Sequence, residues 1–196
     1  MPTVLKSNLL VHRVNIPPWL QACGYKRLAE VGVREGHHLK TWMLAKPTNV
    51  IAVDIWANDG VKSHNDKNHN QAKCDAMYSA LLSYAGDLKL QGINLQLLRG
   101  DSVKMSSAVI DGELDFVYLD ADHTYEAVKA DIAAWWPKVR VGGTLGGHDY
   151  IGIERFGVRF GVIQAVDEFV KSLGIAEKVH TTLDPYASWF VTKGAV

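Results

Sequence analysis

From residue 17 onward, short apolar runs alternate with stretches of helical periodicity, and this alternation limits the fold more than any other feature of the chain. Arg27 to Val33 and Val50 to Trp56 read as buried strands, followed by Asn94 to Leu98, Asp115 to Leu119 and Val139 to Leu145. Pro17-Pro18 opens a short helix, since proline suits a first turn. Gly36 to Ala45, Lys73 to Leu90 and the stretch from the N-cap Thr124 to about Trp136 read as helices. Val162, Ile163, Val166, Phe169, Val170 and Leu173 recur at helical spacing and predict a helix over 161–173. Glu177 to Thr182 and Ser188 to Thr192, joined by Leu183-Asp184-Pro185-Tyr186, predict an antiparallel hairpin. Buried strands separated by helices imply an α/β fold. It is a doubly wound, mostly parallel seven-stranded sheet with helices on both faces and a C-terminal antiparallel hairpin.

A chain of 196 residues is expected to form one domain over 1–196, with 1–25 as an N-terminal segment. Residues 57–72 are polar and aperiodic, carry His64 and His69, and read as a lid loop. Basic and acidic residues balance at 21 each, which argues against a nucleic-acid backbone as partner. No apolar run approaches membrane-spanning length and no leader pattern opens the chain, so a cytoplasmic protein is expected. Cys23 and Cys74 alone make neither a disulfide framework nor a paired zinc motif. Val4, Leu5, Leu9, Leu10 and Val11 read as exposed apolar residues that would support a homo-oligomer interface.

Two strands end in clusters of acid and histidine. The fourth runs into Asp120, Asp122 and His123, and the fifth leads through Gly146-Gly147 into His148 and Asp149. Ligands of open parallel sheets sit where the loops at strand carboxyl ends converge, so adjacent strands would bring these groups into one crevice. Asp122 reads as an acid near a helix N-terminus, favoured by the macrodipole. The first strand leads into Glu30-Val31-Gly32-Val33-Arg34-Glu35-Gly36. There Gly32 lets the backbone pass close to a ligand, and Gly36 opens the helix. Asp54 ends the second strand, where an acid can accept hydrogen bonds from both ribose hydroxyls. A dinucleotide turn would read Gly-x-Gly-x-x-Gly. Here the third glycine is missing and Glu30 and Glu35 flank the turn, which suits an amine and a sulfonium better than phosphates. A nicotinamide dehydrogenase is disfavoured on that ground.

In this order, Glu30–Gly36, Asp54, Gly100-Asp101-Ser102, the Asp115–His123 strand and the terminal hairpin resemble class I S-adenosylmethionine-dependent methyltransferases over nearly the whole chain. The resemblance implies a Rossmann-like sheet of strand order 3-2-1-4-5-7-6, the seventh strand antiparallel, with S-adenosylmethionine as cofactor. It implies that Glu30, Gly32 and Gly36 line the methionine part, that Asp54 holds the ribose, and that Asp101 and Ser102 lie near the adenine. Asp120 would border both cofactor and acceptor.

The stretches Asp120–Tyr125 and Gly142–Tyr150 are similar to a narrower group. It comprises metal-dependent small-molecule O-methyltransferases, especially those acting on macrolide sugars, and the related proteins labelled cephalosporin hydroxylase. This implies a small-molecule hydroxyl as acceptor, His123 as general base, and a divalent cation (Mg²⁺ or Mn²⁺) at Asp120, His148 and Asp149. An aliphatic hydroxyl is too weakly acidic to attack at neutral pH, and a cation that lowers its pKa beside a histidine base answers that need. Where the group has two acids after the fifth strand, this chain has His148-Asp149. Imidazole at 148 suits Mn²⁺, Fe²⁺ or Zn²⁺ better than Mg²⁺. Alternatively His148 is a second base and the metal rests on two aspartates plus water, or no metal is needed. The competing function is a non-methylating protein of the same fold, either a cofactor binder or a hydroxylase-like enzyme. His37-His38 read as first-turn helix residues without a role. Tyr150, Arg155 and Arg159 read equally as acceptor-pocket or exposed-loop residues, and Asp184-Pro185-Tyr186 as a turn.

Overall fold

The structure is a computed structural model and describes residues 9–57, 70–155, 158–174 and 179–194. Strands β1 (Arg27–Val31), β2 (Asn49–Asp54), β3 (Asn94–Arg99), β4 (Leu114–Leu119) and β5 (Val139–Gly147) pair in parallel in the order β3-β2-β1-β4-β5. A separate two-stranded hairpin, β6 (Glu154–Arg155) and β7 (Val158–Arg159), follows β5. Strand β8 (His180–Thr181) forms the far edge, and β9 (Trp189–Thr192) lies antiparallel between it and β5. The seven-stranded order β3-β2-β1-β4-β5-β9-β8 is the expected 3-2-1-4-5-7-6.

Every residue of β4 is buried, as a central strand covered on both faces requires. On one face, Ala29, Val31, Val117 and Leu119 pack under α5 (Tyr125–Trp135) and α6 (Val162–Ser172). On the other, Leu28, Phe116 and Phe190 meet Trp19 and Leu20 of α1 (Ile16–Cys23), and Trp42 just beyond the short α2 (His37–Thr41). Val50, Ala52 and Leu95 meet Met77 and Leu81 of α3 (Gln71–Leu90). Side chains alternate along a strand, so Glu30 leaves β1 on the same face as Leu28 and enters the layer beneath α2. The rings of Trp19, Phe116 and Phe190 interlock at 5.5–5.6 Å from Trp19. Each such pair adds roughly 0.5–1.5 kcal/mol beyond burial. They pin α1, and the residues just before it, against β4 and β9.

Several boundaries differ from the sequence reading. The helix expected over 36–45 is α2 continued by a 3-10 turn over Trp42–Ala45. Strand β5 runs to Gly147 rather than 145 because Gly146 and Gly147 keep pairing with Phe190 and Trp189. A helical turn, α4 (Ser102–Met105), was not foreseen; Asp101 caps it, accepting a hydrogen bond from Lys104 N at 3.0 Å. Of the apolar N-terminal residues, Leu10 is fully buried rather than exposed, while Leu9 and Val11 are exposed. Val4, Leu5 and most of the 57–72 loop, with His64 and His69, lie outside the described residues. Among the described residues, no helix is long and apolar enough to cross a membrane.

Candidate active site

The first half of the site grows from the ends of β1 and β2. Gly32 has φ +90°, and a Cβ there would collide with the backbone carbonyl of Asp120 at the end of β4. Two strand ends can therefore approach this closely only with glycine at 32. The sheet ladder continues past the strands through Gly32 N to Val53 O (2.8 Å) and Asp120 N to Val31 O (2.7 Å), which fixes the three turns against one another. Gly36, at φ +74°, opens α2 with Leu81 packed where a Cβ would point. Asp54 accepts hydrogen bonds from Arg34 N (2.9 Å) and Trp56 N (2.8 Å). It thus ties the turn after β1 to the turn after β2 and keeps lone pairs on both oxygens for further donors. Asp101 caps α4, and Ser102 donates its hydroxyl to Asp131 of α5. Asp131 is buried; burial pushes its pKa up to about 6, against the lowering effect of the Ser102 hydrogen bond.

The second half gathers at the ends of β4 and β5. His123 Nε2 lies 3.0 Å from Asp149 Oδ2 and 3.5 Å from Asp120 Oδ1. His148 Nδ1 lies 3.3 Å from Asp149 Oδ1 and 3.5 Å from Asp120 Oδ1. Asp149 is held in the left-handed region at φ +53°, the sharp turn that swings its carboxylate back over the strand end. Asp122 accepts from Thr124 N at 2.8 Å at the start of α5, as its reading as a helix-end acid implies.

Burial alone would depress the pKa of His123, but its two carboxylate partners more than offset this and bring it up to about 9. Burial would raise Asp120, yet His123, His148 and Arg13 together hold it well below the usual carboxylate range. The donor atoms of Asp120, His123 and Asp149 lie within 4.8 Å of one another. Within that triad, His123 Nε2 and Asp149 Oδ1 are buried without an aligned hydrogen bond. The carboxylates of Asp120 and Asp149 converge, and one oxygen of Asp149 is left without a hydrogen bond, so these residues offer oxygen donors that fit a divalent cation.

Three contributors escaped the sequence reading. Arg13 donates from NH2 to Asp120 Oδ2 at 2.8 Å, sits 3.2 Å from His148 Nε2 and lies over the Tyr118 ring. Its own backbone N–H donates to Asp184 Oδ2 at 2.7 Å, so the loop between β8 and β9 is more than a turn: it clamps the N-terminal segment. Phe160, just after β7, stacks on His123 at 4.7 Å and 8°. His38, which the sequence leaves without a role, pairs through Nδ1 with the buried Glu30 at 2.8 Å. Nothing local marks Arg13 or Phe160; both reach the site through tertiary folding. Tyr150 turns away to donate to Asp167 at 2.6 Å, and Arg159 is exposed.

Comparison with known proteins bears on the family and the fold. A family model described as a methyltransferase domain matches residues 29–150, more than half of the chain. The O-methyltransferase NovP superposes with a TM-score of 0.65 at 16% identity, over 93% of this chain and 78% of that one. An O-methyltransferase from Bacillus cereus in complex with SAH gives 0.56 at 15%, over 95% and 86%. Spermidine synthase from Thermotoga maritima gives 0.55 at 12%, over 97% of this chain and 59% of its own length. No curated protein matches the chain. The match across β1 to β5, on a sheet of this strand order, shows that the chain belongs to the methyltransferase-domain family as a class I S-adenosylmethionine-dependent methyltransferase.

Proposed function

We propose that the chain transfers a methyl group from S-adenosylmethionine to a hydroxyl of a small molecule. The observation that carries this reading is the convergence of Asp120, His123, His148 and Asp149 from two adjacent strand ends, next to the Gly32 turn. Glu30, Gly32 and Gly36 border the methionine end of the cofactor, Asp54 the ribose, and Asp101 and Ser102 the adenine side. When bound, the cofactor supplies an electrophilic methyl group on a sulfonium. Phe160 fixes the plane of His123 by stacking, and Asp149 orients its Nε2 edge. Asp120 and Asp149, with His148 Nδ1 beside them, would hold a divalent cation, whose Lewis acidity lowers the pKa of a bound hydroxyl. His123, whose Nε2 lies beside both carboxylates, would receive the hydroxyl proton there. The likeness to NovP and to the B. cereus enzyme supports oxygen as the accepting atom.

The test is direct. Isothermal titration should show SAH binding to the folded protein, and labelled S-adenosylmethionine should methylate a hydroxylated small molecule with a rate that chelator reduces. Absence of SAH binding sinks the reading; methylation untouched by chelator removes the cation from it.

A further inference from the structure

Glu30 is a buried carboxyl group with one oxygen provided for and one not. Oε1 lies 2.8 Å from His38 Nδ1, whereas Oε2 is buried and makes no hydrogen bond. The tautomer of His38 follows from its other neighbour. Trp42 Nε1–H, which can only donate, points to His38 Nε2 at 3.4 Å, so Nε2 accepts and Nδ1 carries the proton given to Glu30. The imidazole is held in place by Tyr118 at 4.7 Å and the edge of Trp42 at 5.2 Å. Burial, helped by Arg13, pushes His38 down to about 3, so it is a neutral donor and no counter-ion for Glu30.

The groups facing Glu30 are His38 and the backbone N–H of Leu39 from α2, Asp120 beyond β4, Arg13 from the N-terminal segment, Asp54 at the end of β2 and the Tyr118 phenol of β4. Burial and then Asp120 raise Glu30 well above the ordinary carboxyl range, against the opposing pull of Arg13. Arg13 makes no hydrogen bond to Glu30: two of its guanidinium nitrogens face His148 and Asp120, and its Nε is buried without a partner, so it acts on Glu30 only as a nearby charge. The pocket therefore favours a protonated Glu30 until a cation arrives at Oε2.

We propose that His38 is a positioning residue for Glu30, and that the cofactor's α-ammonium group, on reaching Oε2, displaces the carboxyl proton to solvent, so that cofactor binding releases a proton. This rests on the cofactor reading above. His38 holds Oε1 through one fixed N–H, which leaves the buried Oε2 without a partner until an ammonium reaches it and stabilises the carboxylate once it forms. A proton that leaves only on binding makes affinity rise with pH.

Titration calorimetry of the full chain with SAH, in phosphate and in Tris at pH 6 to 8, counts the protons. SAH should release a number approaching one. 5′-Methylthioadenosine, which lacks the amino-acid part, should release almost none, and Glu30→Gln should abolish release with either ligand. His38→Phe should weaken SAH about tenfold or more while sparing 5′-methylthioadenosine, and should move proton release to higher pH. His38→Asn, whose amide can still donate to Oε1, should restore much of both. Equal proton counts for the two ligands, release that persists in Glu30→Gln, or His38→Asn no better than His38→Phe would overturn the proposal while leaving the cofactor reading intact. Failure of the folded wild-type chain to bind SAH would overturn that reading, and this proposal with it.

Discussion

The two halves of the crevice are built in different ways. The half we assign to the cofactor is made from consecutive sheet elements: the turn after β1, the end of β2 and the start of α2 lie within 30–56, locked by backbone hydrogen bonds and by the Asp54 side chain. The half we assign to the acceptor is assembled from distant segments. Arg13 meets Asp120 across 107 residues and Asp184 across 171, and Phe160 stacks on His123 from a small separate hairpin. The first half is rigid through local geometry. The second depends on several tertiary contacts holding at once, which is where acceptor preference can diverge without loss of the fold.

Substitutions should separate the halves, and the largest effect belongs to the shared wall between them. Gly32→Ala drives a Cβ into the Asp120 carbonyl at a backbone angle alanine rarely adopts. SAH affinity should fall by roughly a thousandfold, or the protein should unfold at a lower temperature; unchanged titration and melting would show that the strand ends are not locked together. His123→Ala should cut methyl transfer by about 10²–10⁴-fold with SAH affinity within about threefold of wild type, a split that single-turnover rates and calorimetry would read. If cofactor affinity collapses as well, the halves are not separable.

Asp131, joined to Ser102 on the cofactor side, offers a smaller effect on stability. Its pKa is raised in the folded protein to about 6, so the folded state holds a proton that the unfolded state has already lost between about pH 4 and 6. Stability should therefore fall as pH rises through that window, by up to about 3 kcal/mol, and stay low above it. Denaturant unfolding of Asp131→Asn should lose this slope; an unchanged slope assigns it elsewhere. The smallest effect is expected at Arg13. Arg13→Gln removes the cation that competes for Asp120, so Mn²⁺ binding measured by calorimetry should tighten roughly tenfold while SAH affinity stays the same. Weaker Mn²⁺ binding would mean that Arg13 supports the ion site instead of competing with it.

What could be read in the sequence follows the same division. Gly32, Gly36 and Asp54 announce themselves because a turn and a strand end are local events, and the apolar runs of β1, β2 and β4 fix the sheet. Asp120, His123, His148 and Asp149 were visible because each follows directly on such a run. Arg13 was not: nothing around it distinguishes it from an exposed basic residue, and its segment read as apolar surface although Leu10 is fully buried. His38 looked like a first-turn helix residue, since its partner Glu30 becomes relevant only after strand alternation turns that acid under α2. The hairpin of β6 and β7 is too short for periodicity to reveal, so Phe160 had no context.

The clamp of Arg13 by Asp184 also sets an order of events in the cell. Ribosomes add about 5–20 residues per second, so Arg13 leaves the exit tunnel some ten to thirty seconds before the residue that restrains it. Strand β9, inserted between β5 and β8, arrives later still. A nascent chain thus acquires the strands that cradle the cofactor well before it can seat Arg13 over Asp120. The Arg13 side of the site is the last part of the newborn enzyme to assemble, and a chain cut short before residue 184 would lack this clamp however well its first strands had folded.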